Sequence, residues 1–118
     1  MPKSKKNITG YGAGGFKING ERFEGSILIT GETVAVWNAA NAADITPASL
    51  TPLLNGSDSI EVVLVGTGGQ LHAIDPAIKQ AFKANHIGFE IMDTGAACRT
   101  YNVLLAEGRR VAAALVAV

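Results

Sequence analysis

Gly88-Phe-Glu-Ile-Met-Asp-Thr-Gly-Ala-Ala-Cys-Arg-Thr-Tyr-Asn102 runs from a short apolar segment through Asp93 and Thr94 into a helical pattern carrying Cys98 and Arg99. A strand that turns into a helix in this way sets polar groups at the carboxyl edge of a sheet. Ligands collect there in open α/β folds, because the unpaired N–H groups of the helix start converge with side chains. Upstream, Ile60-Glu-Val-Val-Leu-Val65 is β-branched and almost continuously apolar, the mark of a strand covered on both faces and the best candidate for the central strand. Between them, Asp75-Pro76 caps a helix through about Asn85, with Ile78 and Phe82 one turn apart on the core side. The helix after Met92 should run from about Gly95 to Glu107, with Ala97, Tyr101, Leu104 and Leu105 on one stripe. Gly108 then suits a left-handed cap. Val111 to Val118 reads as a last buried strand, which completes a strand-helix-strand-helix-strand unit.

The first third has a different period. Phe16-Lys-Ile18, Asn19-Gly20 and Glu21-Arg-Phe23 form a hairpin signal: a type I′ turn needs positive φ at both central positions, and Asn-Gly supplies it, setting Phe16 opposite Phe23. A second apolar run, Ile27-Leu-Ile29, turns through Thr30-Gly-Glu-Thr33 into Val34-Ala-Val-Trp37. The expectation is an antiparallel meander whose strands lie side by side, with helices covering its apolar face. Thr46-Pro47 opens a short helix over Ala48 to Leu54, ended by Asn55-Gly56.

Composition narrows the function classes. A chain of 118 residues with 47% hydrophobic content suits one domain with one core, residues 8–118, preceded by a flexible basic tail from Met1 to Asn7. Ten basic residues balance ten acidic ones, and the arginines form no stripe with aromatics between them, so nucleic acid is not an expected partner. The tail lacks the apolar core of a signal peptide, and nothing approaches the roughly 20 apolar residues of a membrane span. A lone cysteine forms no internal disulfide, which points to the cytoplasm. Asn7-Ile-Thr9 and Asn55-Gly-Ser57 match glycosylation sequons by chance in that compartment.

Four features bear on chemistry. Gly10-Tyr-Gly-Ala-Gly-Gly15 has the glycine spacing of a dinucleotide loop, but a hairpin follows instead of the helix that would receive the pyrophosphate. It reads as a turn-forming lead into the first strand, and no cofactor is expected. Gly66, Thr67, Gly68 and Gly69 leave a buried strand, and their backbone N–H groups suit a nest for a small anion, although no Gly-Lys-Ser/Thr ending makes them a P-loop. Cys98 lies early in its helix beside Arg99, a setting that favours a thiolate. Nucleophilic catalysis also needs a placed base, and His72 and His86 are placed by no motif. The alanine neighbours suit a small buried thiol, and one Cys with two scattered His gives no metal-ligand spacing. Asp93 either caps its helix or orients Arg99, and with Thr94 it joins the Gly66–Gly69 loop, Cys98 and Arg99 as the candidate ligand-binding set at the strand ends. Topology adds the expectation that these residues form the recess of the protein.

Phe16-Lys-Ile-Asn-Gly20 with Gly25-Ser26, the Trp37 strand, Val65-Gly-Thr-Gly68, and Met92-Asp-Thr94 with Ala96-Ala-Cys-Arg-Thr-Tyr-Asn102 and Glu107-Gly-Arg109 together form a pattern that resembles the Mth-domain family of uncharacterised proteins. It covers residue 8 to the end, and the Cys98-Arg-Thr-Tyr-Asn102 version is similar to the bacterial branch. The family includes bacterial hypothetical proteins, an adipogenesis-associated animal protein and a mitochondrial complex I assembly factor. The resemblance implies a compact mixed α/β domain with no established enzymatic activity or cofactor, and an assembly role in the mitochondrial branch. The reading is therefore a single-domain α/β protein with a mixed sheet, an N-terminal meander and a C-terminal strand-helix-strand-helix-strand unit. As a function it suggests a non-catalytic binding or assembly module for an unidentified protein partner. The alternative is a small-molecule or anion-binding protein, with or without enzymatic activity, with its site at the strand ends. Homo-oligomerisation through an exposed sheet edge is a third arrangement.

Overall fold

The computed structural model describes residues 5–55 and 60–118. Among the described residues, eight strands and three α-helices follow one another as β1 (Ile8–Gly12), β2 (Gly15–Ile18), β3 (Glu21–Glu24), β4 (Ile27–Thr30), β5 (Val34–Val36), α1 (Thr51–Asn55), β6 (Val62–Gly66), α2 (Pro76–Ala84), β7 (Gly88–Met92), α3 (Thr94–Ala106) and β8 (Val111–Leu115). Short 3₁₀ turns at Ala42–Asp44 and Ala48–Leu50 precede α1. The strands make two sheets: a three-stranded antiparallel one in the order β1-β2-β3, and a five-stranded mixed one in the order β5-β4-β8-β6-β7.

The parallel unit forms as its sequence dictates. Asp75 caps α2 by accepting the N–H of Ala77, with Pro76 in the first turn. Asp93 caps α3 in the same way through Ala96, and Gly108 ends it at φ +78°. From β6 the chain moves one strand outward to β7, and from β7 it moves back past β6 to β8. Both crossovers are right-handed only if their helices lie on opposite faces. Alternation along the strands shows that they do. Val63, Val65, Ala112 and Ala114 pack with Ile78 and Phe82 of α2. Leu64, Val111, Ala113 and Leu115 pack with Ala97, Cys98, Tyr101 and Leu105 of α3. The β6 strand is interior, as its apolar run implies, but the centre of the sheet is β8, every residue of which is buried.

The N-terminal third differs from a single meander. The β2–β3 hairpin turns at Asn19 (φ 51°) and Gly20 (φ 85°) and pairs Phe16 with Phe23, as the Asn-Gly signal requires. The β4–β5 pair, however, belongs to the other sheet. Gly25 at φ +81° turns the chain out of β3, and buried Ser26 then anchors it in the large sheet: its hydroxyl donates to Ala39 O and accepts the N–H of Ala117. The glycine run Gly10–Gly15 is the end of β1 plus a second tight turn, Ala13 (φ 53°) and Gly14 (φ 80°), that closes Gly12 onto Gly15. No helix follows that run.

Of the basic tail, residues 5–7 are hydrogen-bonded into the fold. Lys6 N–H donates to Gly31 O, Asn7 N–H donates to the Asn19 side chain, and Asn19 Nδ2 donates to Lys5 O. Residues 1–4 of the tail expected to be flexible, and Gly56 and the remainder of the second sequon, lie outside the described residues.

Candidate functional site

The parallel register pairs Gly66 with Met92, so the loop after β6 and the start of α3 share one edge of the sheet, as the topology requires. Gly66 is where they touch. A Cβ there would stand 2.8 Å from Thr94 Cα and 2.9 Å from Thr94 Oγ1, so the absent side chain is what lets the helix start seat against the strand end. Buried Thr94 ties three segments together: its hydroxyl accepts the N–H of Gly68 at 3.0 Å and donates to Val116 O at 2.7 Å, and its own N–H donates to Gly68 O at 2.8 Å. Thr67 closes the loop on itself, donating to Gln70 O at 2.8 Å and accepting the N–H of His72 at 3.0 Å. Asp93 takes the N–H of Ala96 at 2.9 Å. The N–H groups of Gly68, Thr94 and Ala96, which an incoming anion would use, thus already donate within the protein. Gly69 is exposed beside them.

Cys98 is 2% exposed in the α3 layer. Burial pushes its thiol up to about 12, Asp93 adding to the rise and Arg99 opposing it, so the neutral thiol prevails at physiological pH. Arg99 projects outward: its Nη1 donates to the Tyr11 hydroxyl at 3.2 Å, and among the described residues no carboxylate lies within 4.0 Å of it. Asp93 therefore acts as a cap and does not pair with Arg99. Among the described residues no three His, Cys, Asp or Glu side chains gather as a metal would require, and no buried side-chain polar atom lacks a hydrogen-bond partner.

The structure thus brings Gly66, Thr67, Gly68, Asp93 and Thr94 into direct contact and sets Cys98 beneath them and Arg99 outside. None of them lines the two recesses at the other end of the sheet and beside Trp37. A recess of about 500 Å³ opens instead at the other edge of the sheet, lined by residues of the β4–β5 turn, α1 and the α3–β8 connection, and none of the eight residues above belongs to it. The register places it: Thr30 pairs with Ala112 and Val62 with Val111, so this edge is opposite Gly66. A shallower recess of about 400 Å³ beside Ser26, Trp37 and Ala117 also excludes them. At the junction of the glycine loop and the helix start Thr94 packs on Gly66, while Arg99 faces outward from it.

Two residues of the decisive run have roles that its sequence did not disclose. Asn102 accepts the N–H of Ile8 at 2.9 Å and donates to Ile8 O at 2.8 Å, clamping β1 as a neighbouring strand would. The Tyr101 hydroxyl lies 2.7 Å from Lys6 O and 2.8 Å from Thr30 O, one proton shared between two carbonyls, and burial raises its pKa. The Tyr-Asn pair flags polar side chains on a buried helix face; it does not say which backbone they serve.

Residues 8–116 match the family described as protein of unknown function (DUF498/DUF598). A rat protein described as NADH dehydrogenase (ubiquinone) 1 alpha subcomplex assembly factor 3 is 38% identical over 109 residues, which is 92% of this chain and 59% of the rat protein. The chain thus spans about three-fifths of the length of the curated relatives it matches first. Among solved structures, a Bordetella parapertussis protein superposes with a TM-score of 0.91 at 40% identity, covering 100% of both chains. A Bordetella pertussis protein described as an Mth938-like domain gives a TM-score of 0.86 at 34% identity, covering 99% of this chain and 89% of that one. The match over nearly the whole length and the shared two-sheet architecture make this chain a member of the DUF498/DUF598 family with an Mth938-like fold.

Proposed function

We propose that the protein is a non-catalytic assembly module that engages a protein partner, in the manner implied by the name of its assembly-factor relatives. The observation that carries this reading is the alignment of 92% of the chain with those relatives. The interior adds support, because the polar groups at the strand ends serve each other and the one cysteine is neutral and enclosed. Such a site is suited to holding its own fold and offers no poised nucleophile or base. The partner is a protein of the respiratory NADH dehydrogenase or of its assembly line, and the compartment is the cytoplasm, with which a single unpaired cysteine accords.

The test is deletion of the gene in the cell of origin, followed by native electrophoresis of the NADH dehydrogenase and by mass spectrometry of proteins that co-purify with the tagged chain. Accumulated subcomplexes, together with stoichiometric recovery of a dehydrogenase subunit or assembly protein, are expected. Normal assembly of the dehydrogenase in the deletion strain would overturn the reading.

A further inference from the structure

The recess at the Val62–Val111 edge combines an apolar wall with a basic rim. Its apolar wall comes from Leu28, Leu53, Ile60, Leu105 and Val111, side chains drawn from both core layers where the sheet ends. Its rim carries Lys5, Arg109 and Arg110 against a single carboxylate, Glu32. Arg109 is neutralised by Glu61, 3.1 Å from its Nε. Lys5 and Arg110 have no carboxylate within 4.0 Å among the described residues. Glu61 accepts the backbone N–H of Arg110 at 2.8 Å, and that bond, together with the Arg109 and Arg110 charges, holds its carboxyl below the usual range, yet its side-chain ion pair is with Arg109.

We propose that this recess binds an amphipathic carboxylate of the fatty-acid class, its chain on the apolar wall and its carboxylate between Lys5 and Arg110. A space of about 500 Å³ has the size of small-molecule sites and is too small to bury a helix of a partner protein. The planar guanidinium of Arg110 matches a carboxylate in two-point geometry, and Lys5 supplies a second charge without geometric demand. Both cations are exposed, so the head-group contribution is screened by salt while that of the chain is not.

Calorimetric titration of the whole protein with decanoate, decanol, decyltrimethylammonium and acetate tests this. Decanoate should bind at least about tenfold more tightly than decanol and the ammonium compound, with acetate not detected. In Arg110→Gln combined with Lys5→Gln, decanoate and decanol should bind alike. Ala35→Trp and Thr33→Trp place a bulky ring into the recess from exposed positions of the β4–β5 edge, and either one should abolish decanoate binding while the thermal midpoint shows that the fold persists. Acetate binding as well as decanoate, equal affinity for decanol in the unsubstituted protein, or decanoate binding undiminished in both tryptophan variants overturns the proposal. So does silence towards decanoate when an acidic amphipathic peptide binds and is blocked by Ala35→Trp; the recess would then be a seat for a partner segment.

Discussion

Thr94 is the residue on which the candidate site turns, because one buried hydroxyl serves the loop after β6, the start of α3 and the chain beyond β8. Thr94→Val keeps the shape and orphans the Gly68 N–H and the Val116 carbonyl in a dry environment. Each unmade bond costs about 1–3 kcal/mol, so a loss of roughly 3 kcal/mol in denaturant unfolding is expected, with Thr94→Ser losing much less. Equal losses for the two variants would show that the methyl group, and not the hydroxyl, carries the effect. Cys98, one turn on, should label slowly with iodoacetamide near pH 7, since burial keeps its thiol protonated; labelling as fast as in the unfolded chain contradicts the enclosed position. Arg99 has the opposite character. It is exposed, and among the described residues its side chain makes one hydrogen bond, to the Tyr11 hydroxyl, so Arg99→Ala should leave the thermal midpoint within the range of ordinary surface substitutions, about 0.5 kcal/mol in stability. A large drop in that variant would mean that the Tyr11–Arg99 contact fastens the small sheet to α3.

The contact between β1 and α3 shows what a single sequence leaves unread at the level of elements. Ile8-Thr-Gly-Tyr-Gly12 has two glycines in five residues, which interrupt the strand-forming Ile8, Thr9 and Tyr11; β2 pairs with it on one side and Asn102 supplies both hydrogen bonds to Ile8 on the other. Those partners are 94 residues apart in the chain, beyond any local pattern. The elements that were legible, α2, α3, β6, β7 and β8, carry their own signals in Asp caps, a closing glycine and apolar periods. The split of the meander into two sheets was hidden because it depends on the backbone of Gly25 and on where the hydroxyl of Ser26 finds its partners. In the same way the shared edge of Gly66 and Thr94 followed from crossover handedness. The recess at the far edge is assembled from ends of separate segments, none of which has a motif. Asn102→Ala should therefore act on one element: amide exchange at Ile8 and its β2 neighbours should quicken by more than that at β6 and β8. Uniform acceleration across both sheets would make Asn102 a determinant of global stability instead.

For the molecule as a whole, the layer made by α3 and the small sheet has a chemical weakness at high pH. Cys98 and Tyr101 both lie in it, and burial raises both pKa values, that of the thiol from 9.0 to about 12 and that of the phenol upward from 10.0. Below those ordinary values both groups are neutral in the folded and unfolded chains, and their full contribution is present. As pH rises past 9.0 the thiol ionises in the unfolded chain while the folded one holds its proton, so the unfolded state binds fewer protons and stability must fall. The phenol follows from 10.0 upward. Each group adds a slope of at most about 1.4 kcal/mol per pH unit. The layer offers no partial escape, because ionising Tyr101 also removes the proton it shares between Lys6 and Thr30, which hold the N-terminal segment and the end of β4. Thermal midpoints measured across pH should stay level through neutrality and begin to fall near pH 9, and Cys98→Ala should delay the fall to about pH 10, where the phenol takes over. A Cys98→Ala curve that runs parallel to that of the unsubstituted protein, offset but with the same onset, would show that the alkaline limit is set by surface charge and not by this layer.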